Sequence, residues 1–281
     1  MPLVLVVVAL QVATQLLVNT LWFLIAHKIN IPISFLQMLY VNCQGSIIDA
    51  ITPGVKFGGE VTRGVQISRV ANCTGEVSAT LIALQKLFSL SAMLFVMLFA
   101  VGYYFTGPTR LLVVGMLLLL LSVFCGVLVA PGRVEEYFRT KNASRFLWIR
   151  KARGFLISLM GQVAIIRENI KGSVFLFVLA LLIWLLYPMK LYLLAMHIMP
   201  DVSVIQMIAV AFVPYLVAMI PILPGGVGGF EGAMSGLMIA SGFIVSEAVA
   251  VTIVFRFITF WFVMLMGLGF ISLYRTKVKS L

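Results

Sequence analysis

The chain alternates long apolar runs with short polar links. Uninterrupted apolar runs cover about 2–26, 78–104, 110–130, 173–198 and 246–273. All are close to or beyond the roughly 20 residues that an α-helix needs to cross a bilayer, so they predict five spanning helices. Two further apolar segments, about 33–75 and 203–243, are each interrupted by a Pro-Gly pair. One long stretch, 132–172, is polar and basic. The ten-residue alternation expected of a membrane β-barrel is absent. The pattern predicts an all-α, polytopic helical membrane protein. It reads as one integral membrane domain over 1–281, with a first half 1–131, a basic amphipathic linker 132–172 and a second half 173–281.

The two interruptions match. Pro53-Gly54-Val55-Lys56-Phe57-Gly58-Gly59-Glu60 follows one apolar run and Pro224-Gly225-Gly226-Val227-Gly228-Gly229-Phe230-Glu231 follows another. Each reaches a Glu seven positions after its Pro. Pro removes a backbone donor and Gly favours non-helical φ/ψ. The hinge or broken-helix candidates are therefore Pro53, Gly54, Gly58, Gly59, Pro224, Gly225, Gly226, Gly228 and Gly229. At membrane depth a broken backbone persists only where protein or a polar cavity satisfies it. Matched breaks in two halves of a chain point to a transporter's binding site. The Gly-Gly pairs can equally be close-packing positions between helices.

Charge orients the spans. In the linker, Arg133, Arg139, Lys141, Arg145, Arg150, Lys151, Arg153, Arg167 and Lys171 outweigh Glu135, Glu136 and Glu168, and Arg275, Lys277 and Lys279 sit near the C-terminus. The positive-inside rule places both regions in the cytoplasm. Counting crossings from there makes 203–243 a re-entrant hairpin entering from outside and 33–75 one entering from inside, an inverted-topology repeat. Lone polar residues agree with the repeat. Lys86 lies 33 positions after Pro53 and Arg256 lies 32 after Pro224, while Asn19 and Lys190 each lie 34 before their Pro. Within 144–171, Phe146, Ile149, Phe155, Leu159, Val163, Ile166 and Ile170 fall roughly on one helical face. They predict a helix lying on the inner leaflet, with an ordinary soluble linker as the alternative.

Composition narrows the class. The 281 residues are 62% hydrophobic and only 10% charged, against about 25% charged in a soluble domain, so no sizeable soluble domain is expected. The net charge of +11 sits mainly in loops, where it sets topology and meets anionic headgroups rather than nucleic acid. Cys43, Cys73 and Cys125 lie far apart with no metal or disulfide spacing, and read as small buried hydrophobes. The run from Pro2 to Ala26 is too long for a signal-peptide core and lacks a basic leader, so a retained helix is expected. There is no HExxH, paired-Cys, P-loop or nucleophile-elbow motif, and no catalytic residue, metal or cofactor is expected.

The residues with chemical potential are the charged ones in or beside apolar spans. Glu60 and Arg63 share a helical face beside the first break. Glu231 follows the second break, and Arg256 lies deep in the last span. Burying an Arg there costs about 2.5–3.5 kcal/mol on insertion scales, so it is expected to face a partner or a cavity, with Glu231 or a lipid phosphate as candidate partners. Arg offers a planar fork suited to phosphate, and half-helix N-termini favour anions. Glu60, Arg63, Lys86, Lys190, Glu231 and Arg256 are the substrate-binding candidates. The alternative is that Glu60–Arg63 and Glu231–Arg256 are static ion pairs, that Lys86 snorkels to the interface, and that Lys190, after Tyr187-Pro188, packs at a kink.

Taken in order, Thr52-Pro53-Gly54 through Gly59-Glu60 and Arg63-Gly64, then Pro221 through Glu231-Gly232, then Arg256-Phe257 with Phe260-Trp261 and Gly267 resemble the flippase-like integral membrane family, also called the lysylphosphatidylglycerol synthase transmembrane region. The similarity covers nearly the whole chain. Two departures are one fewer N-terminal helix than many members, and Gln85-Lys86 where an acidic-then-Arg pair is expected. The resemblance implies an inner, cytoplasmic-membrane protein that moves a lipid between leaflets, without the soluble aminoacyltransferase domain of the bifunctional members. The expected function is a flippase or transporter of an anionic or aminoacylated phospholipid, more transporter than enzyme. The alternatives are a membrane-embedded lipid-modifying transferase or its subunit, and a scaffold of a lipid-synthesis complex. The expected partners are membrane phospholipid and a lipid-synthesis enzyme.

Overall fold

The computed structural model describes residues 2–52, 57–104, 107–129, 136, 147–218 and 225–279. Apart from the isolated residue 136, these are helices and short connections, with no strand among the described residues. The first half comprises α1 (Pro2–Lys28), α2 (Phe35–Ile51), α3 (Phe57–Val70), α4 (Gly75–Tyr104) and α5 (Gly107–Val129). After α6 (Leu147–Glu168), the second half comprises α7 (Ile170–Met196), α8 (Val204–Ala218), α9 (Gly229–Ala240) and α10 (Val245–Arg256). A π-helical turn (Phe257–Trp261) then leads into α11 (Phe262–Lys279).

Among the described residues, four continuous helical segments are long and apolar enough to cross a membrane, at Pro2–Lys28, Gly75–Leu98, Ile170–Met196 and Val245–Thr276. They coincide with four of the five predicted spans, and the fifth folds as α5. Apolar side chains such as Leu5, Leu119, Phe175 and Leu265 are exposed on the outside, which suits lipid as the surrounding solvent. The molecule is an all-helical integral membrane protein.

Both interrupted segments fold as helix–break–helix pairs, α2–α3 and α8–α9, whose two arms pack on each other. Local chemistry sets their ends. Ser34 and Gln37 form a reciprocal capping box at the start of α2, satisfying two backbone donors that the first turn leaves free. Gly228, at φ +83°, leads into α9, and the Glu231 carboxylate accepts from the Gly228 N–H at 2.6 Å. Of the hinge candidates, Gly225, Gly226 and Gly228 form a turn with positive φ. Gly58 and Gly59 instead lie in the first turn of α3, and Gly229 opens α9. Pro53, Gly54 and Pro224 lie outside the described residues, as do most of the charges in 132–146.

The first pair packs against α1, α4 and α11, and the second against α4, α7 and α10. Leu21, Ile67, Leu81, Phe88 and Leu176 centre one buried cluster. Leu191, Met207, Phe230, Met234 and Phe255 centre another, which also takes in Val7 of α1. The amphipathic stretch forms α6, but its face is divided. Val163 and Ile166 are buried in the first cluster, with Leu159 packed against it, because α6 lies against α4 and α7. Ile170 belongs to the next helix and is exposed. Neighbouring helices, rather than lipid alone, cover this part of the apolar stripe.

Candidate functional site

The first cluster gathers at the break between α2 and α3. Arg63 of α3 is buried. Its Nη1 donates to Asp49 Oδ2 and to Glu60 Oε1, both at 3.1 Å, and its Nη2 donates to Ser46 Oγ at 3.3 Å. Lys86 of α4 places Nζ 2.6 Å from the same Glu60 oxygen. Asp49 spans the break, its Oδ1 accepting from the Gly59 N–H at 3.0 Å. Two cations thus face two carboxylates, the balance a low-dielectric interior demands. Gly45 gives the arginine passage across α2, since a Cβ there would lie within 2.6–2.7 Å of the Arg63 Nε, Cγ and Cζ atoms.

The second cluster forms where α10 passes the other break. Arg256 is buried and its Nε donates to Glu231 Oε1 at 2.9 Å. Its Nη2 donates to the Gly225 carbonyl. The Phe230 and Phe260 rings lie 4.5 and 4.1 Å from its Cζ, close enough for cation–π attraction. Gly225 sits at φ +62° beneath Phe260. A Cβ added there would also lie 3.2 Å from the carbonyl oxygen of Ala50, near the end of α2. The described tip of the second pair therefore touches the first.

The matched positions read from the sequence acquire matched partners. In each half, a basic residue of the helix after the pair meets the Glu after the break: Lys86 with Glu60, Arg256 with Glu231. Lys190 stands apart from both clusters. It is fully buried, donates to Gln11 Oε1 and, at 3.1 Å, to Thr14 Oγ1, and lies 4.4 Å from the Tyr187 ring. It joins α7 to α1. Asn19, its counterpart by spacing, instead joins α1 to α2 through the Phe35 carbonyl and Asn42. Sequence reasoning missed Asp49, Gln11, Thr14 and the two rings about Arg256. Asp49 could have been found as an acid inside an apolar segment. The phenylalanines carry no signal that separates them from lipid-facing ones.

Helical membrane spans, two broken helix pairs and buried charge clusters at the breaks define a polytopic membrane protein with a polar interior. The family described as lysylphosphatidylglycerol synthase TM region matches residues 1–267. The chain belongs to that family. It is 24% identical to a UPF0104 membrane protein of Methanothermobacter thermautotrophicus, over 99% of this chain and 87% of the relative. It is 26% identical to a UPF0104 membrane protein of Pyrococcus horikoshii, over 92% of this chain and 82% of the relative. No solved structure matches the chain.

Proposed function

We propose that the protein is a flippase or transporter that moves an anionic or aminoacylated phospholipid between the leaflets of the cytoplasmic membrane. In this reading α2–α3 and α8–α9 are re-entrant hairpins of an inverted repeat, and the C-terminus and the 132–172 linker are cytoplasmic. The observation that carries it is the pair of buried charge clusters at the two breaks, with the described tip of one pair against the other. Buried ionisable groups in membrane helices mark substrate paths by default. Discontinuous helices at a repeat interface are where secondary transporters bind. The headgroup passes the clusters while its acyl chains stay in lipid, and one half rocks against the other.

The test is lipid translocation in proteoliposomes, using fluorescent phosphatidylglycerol and an aminoacylated analogue. Wild type is compared with Arg256→Ala and Glu231→Gln, each checked for folding. Loss of movement in folded variants supports the reading, while unchanged movement makes these residues structural. A second reading, favoured by the family's name, is the membrane part of a lipid-modifying transferase. It predicts chemically altered lipid on expression and no movement in wild-type vesicles.

A further inference from the structure

Of the four basic candidates in the helices, Arg63, Lys86 and Arg256 meet carboxylates, while Lys190 meets none among the described residues. Lys190 is 0% exposed, so neither water nor an acid offsets its charge, the costly condition for a buried ion. An arginine would have to keep that charge, whereas a lysine can give up its proton. The partners suit both outcomes. Thr14 Oγ1 donates its own proton to the Leu10 carbonyl at 2.6 Å, so towards Lys190 it only accepts. Gln11 presents Oε1 to the lysine, and its Nε2, also buried, has no partner among the described residues. An ammonium thus donates to Gln11 Oε1, to Thr14 Oγ1 and to the face of the Tyr187 ring. With the Gln11 amide turned over, a neutral amine donates to Thr14 and to the ring, and its lone pair accepts from Gln11 Nε2–H. Both protonation states are satisfied by the same three residues.

The surrounding helices leave that proton to Lys190. α1 turns Gln11 and Thr14 to it, and His27 and Lys28 lie about 20 Å further along the same helix. α4 carries Glu76, exposed in its first turn, and Lys86, held by Glu60. α6 meets the other end of α7, where Val163 and Ile166 share a cluster with Leu176. α8 brings Tyr215, edge-on to Tyr187 at 5.8 Å. α10 brings Glu247, which makes no ion pair with Lys190, and Arg256, held by Glu231. We propose that Lys190 is a proton-binding site at the seam between the two halves, and that the proton is the coupling ion of lipid movement. α1 forms the seam. It joins the second half through Lys190 and the first through Asn19, which bonds Asn42 and the Phe35 carbonyl of α2. It is also the least buried of the four spanning segments, and so parts from its neighbours at the smallest loss of packing. When α1 parts from α7, water reaches Lys190. The ammonium passes one N–H proton to water, keeps the electron pair as a neutral amine, and hydronium carries the proton away; reprotonation is the reverse. With the proton bound, charge-assisted bonds to Gln11 and Thr14 hold α1 on α7, and without it weaker neutral bonds remain. Tyr187, Tyr215 and Phe230, 5.8 and 5.1 Å apart in turn, lead from Lys190 to the Arg256 guanidinium and the second break. The coupling rests on the reading that the protein moves lipid; the proton site does not.

The experiment uses the purified full chain, with isotope-labelled lysine side-chain nitrogens, in phosphatidylcholine nanodiscs. Its nitrogen NMR spectrum is compared with that of Lys190→Met as the pH is taken through the neutral range. One wild-type signal, absent from the variant, should pass between ammonium and amine. A Lys190 signal that keeps a single form throughout overturns the site. The same proteins then go into proteoliposomes with fluorescent phosphatidylglycerol and an imposed pH gradient. Wild-type lipid movement should respond to the gradient, and Lys190→Met and Lys190→Arg should each lose that response. Lys190→Arg keeps the charge and cannot release a proton, so a response that survives in it overturns the coupling. Wild-type movement that ignores the gradient overturns it as well. A titrating Lys190 in a protein that moves no lipid under any gradient would refute the flippase and leave the proton site standing.

Discussion

Gly225→Ala should be among the most damaging single-methyl additions in the protein. The position has φ +62°, and an L-residue in the left-handed region costs about 1–2 kcal/mol. The new Cβ would lie 2.6 Å from Cζ of Phe260 and 3.2 Å from the Ala50 carbonyl oxygen. The carbonyl belongs to backbone and yields little, so the ring must move. Driving it off its rotamer costs about 0.5–1.5 kcal/mol. Lifting it from Arg256 forfeits a cation–π contact worth about 0.5–2 kcal/mol. Together these give a loss of about 2–5 kcal/mol. At about 2–4 °C per kcal/mol for domains of 150–250 residues, the midpoint of thermal denaturation in detergent should fall by roughly 5–20 °C. Gly236→Ala is the control. It lies within α9 with nothing within 4 Å of its would-be Cβ, so it should be neutral or stabilising by up to about 1 kcal/mol. If Gly225→Ala melts with wild type while Gly236→Ala does so too, the contact between the second turn and the end of α2 is wrong.

Three more expectations follow from the charge clusters and the topology. Arg256→Met or Glu231→Leu alone should each cost about 3–5 kcal/mol by stranding a buried charge, and the double variant should cost less than the sum of the two, as read from a double-mutant cycle of detergent stability. Lys190→Met removes a buried cation together with its desolvation penalty and should change stability by no more than about 1 kcal/mol or raise it, whereas Gln11→Leu strips that cation of a partner and should lower stability by about 1–3 kcal/mol; the reverse order would mean that Lys190 has a counter-charge. Single cysteines at Glu76→Cys and Ile244→Cys, in a cysteine-free background, should react with impermeant reagents from opposite sides of the membrane, and labelling from one side would refute the inverted repeat.

Much of the helical frame was legible because its cause is local. Twenty-odd apolar residues in a row make a spanning helix wherever they occur, and Pro-Gly pairs interrupt one, so α1, α4, α7 and the two broken pairs could be placed from the chain alone. The pairing of Arg63 with Glu60 and of Arg256 with Glu231 was readable for a different reason, whereas the contact of Lys86 with Glu60 was not read. Charges are scarce in these spans, and each leaves few candidate partners. The unread features depend on which elements become neighbours. Lys190 occupies a mid-span position resembling that of a site residue, but α1 happens to present Gln11 and Thr14 to it. The stripe on α6 announces that something apolar covers it without saying that α4 and α7 do so in part. Phe230 and Phe260 are two of 21 phenylalanines, and only the folded chain brings them to the Arg256 guanidinium.

The π-helical turn at Phe257–Trp261 interrupts what reads as one apolar span. An inserted residue rotates everything beyond it by about 100° relative to a regular helix, and such bulges are frequent at functional sites. Ahead of the turn, Thr252 and Arg256 face Ser235 and Glu231 of α9. Beyond it, Gly267 lies against Cys43, and Tyr274 and Arg275 meet Tyr40 of α2. One helix thus contacts both broken pairs, α9 ahead of the turn and α2 beyond it, and the turn sets the angle between those two contact faces. A change of length or winding at these five residues would turn the seat of one broken pair relative to the other, because they lie between the two sets of contacts.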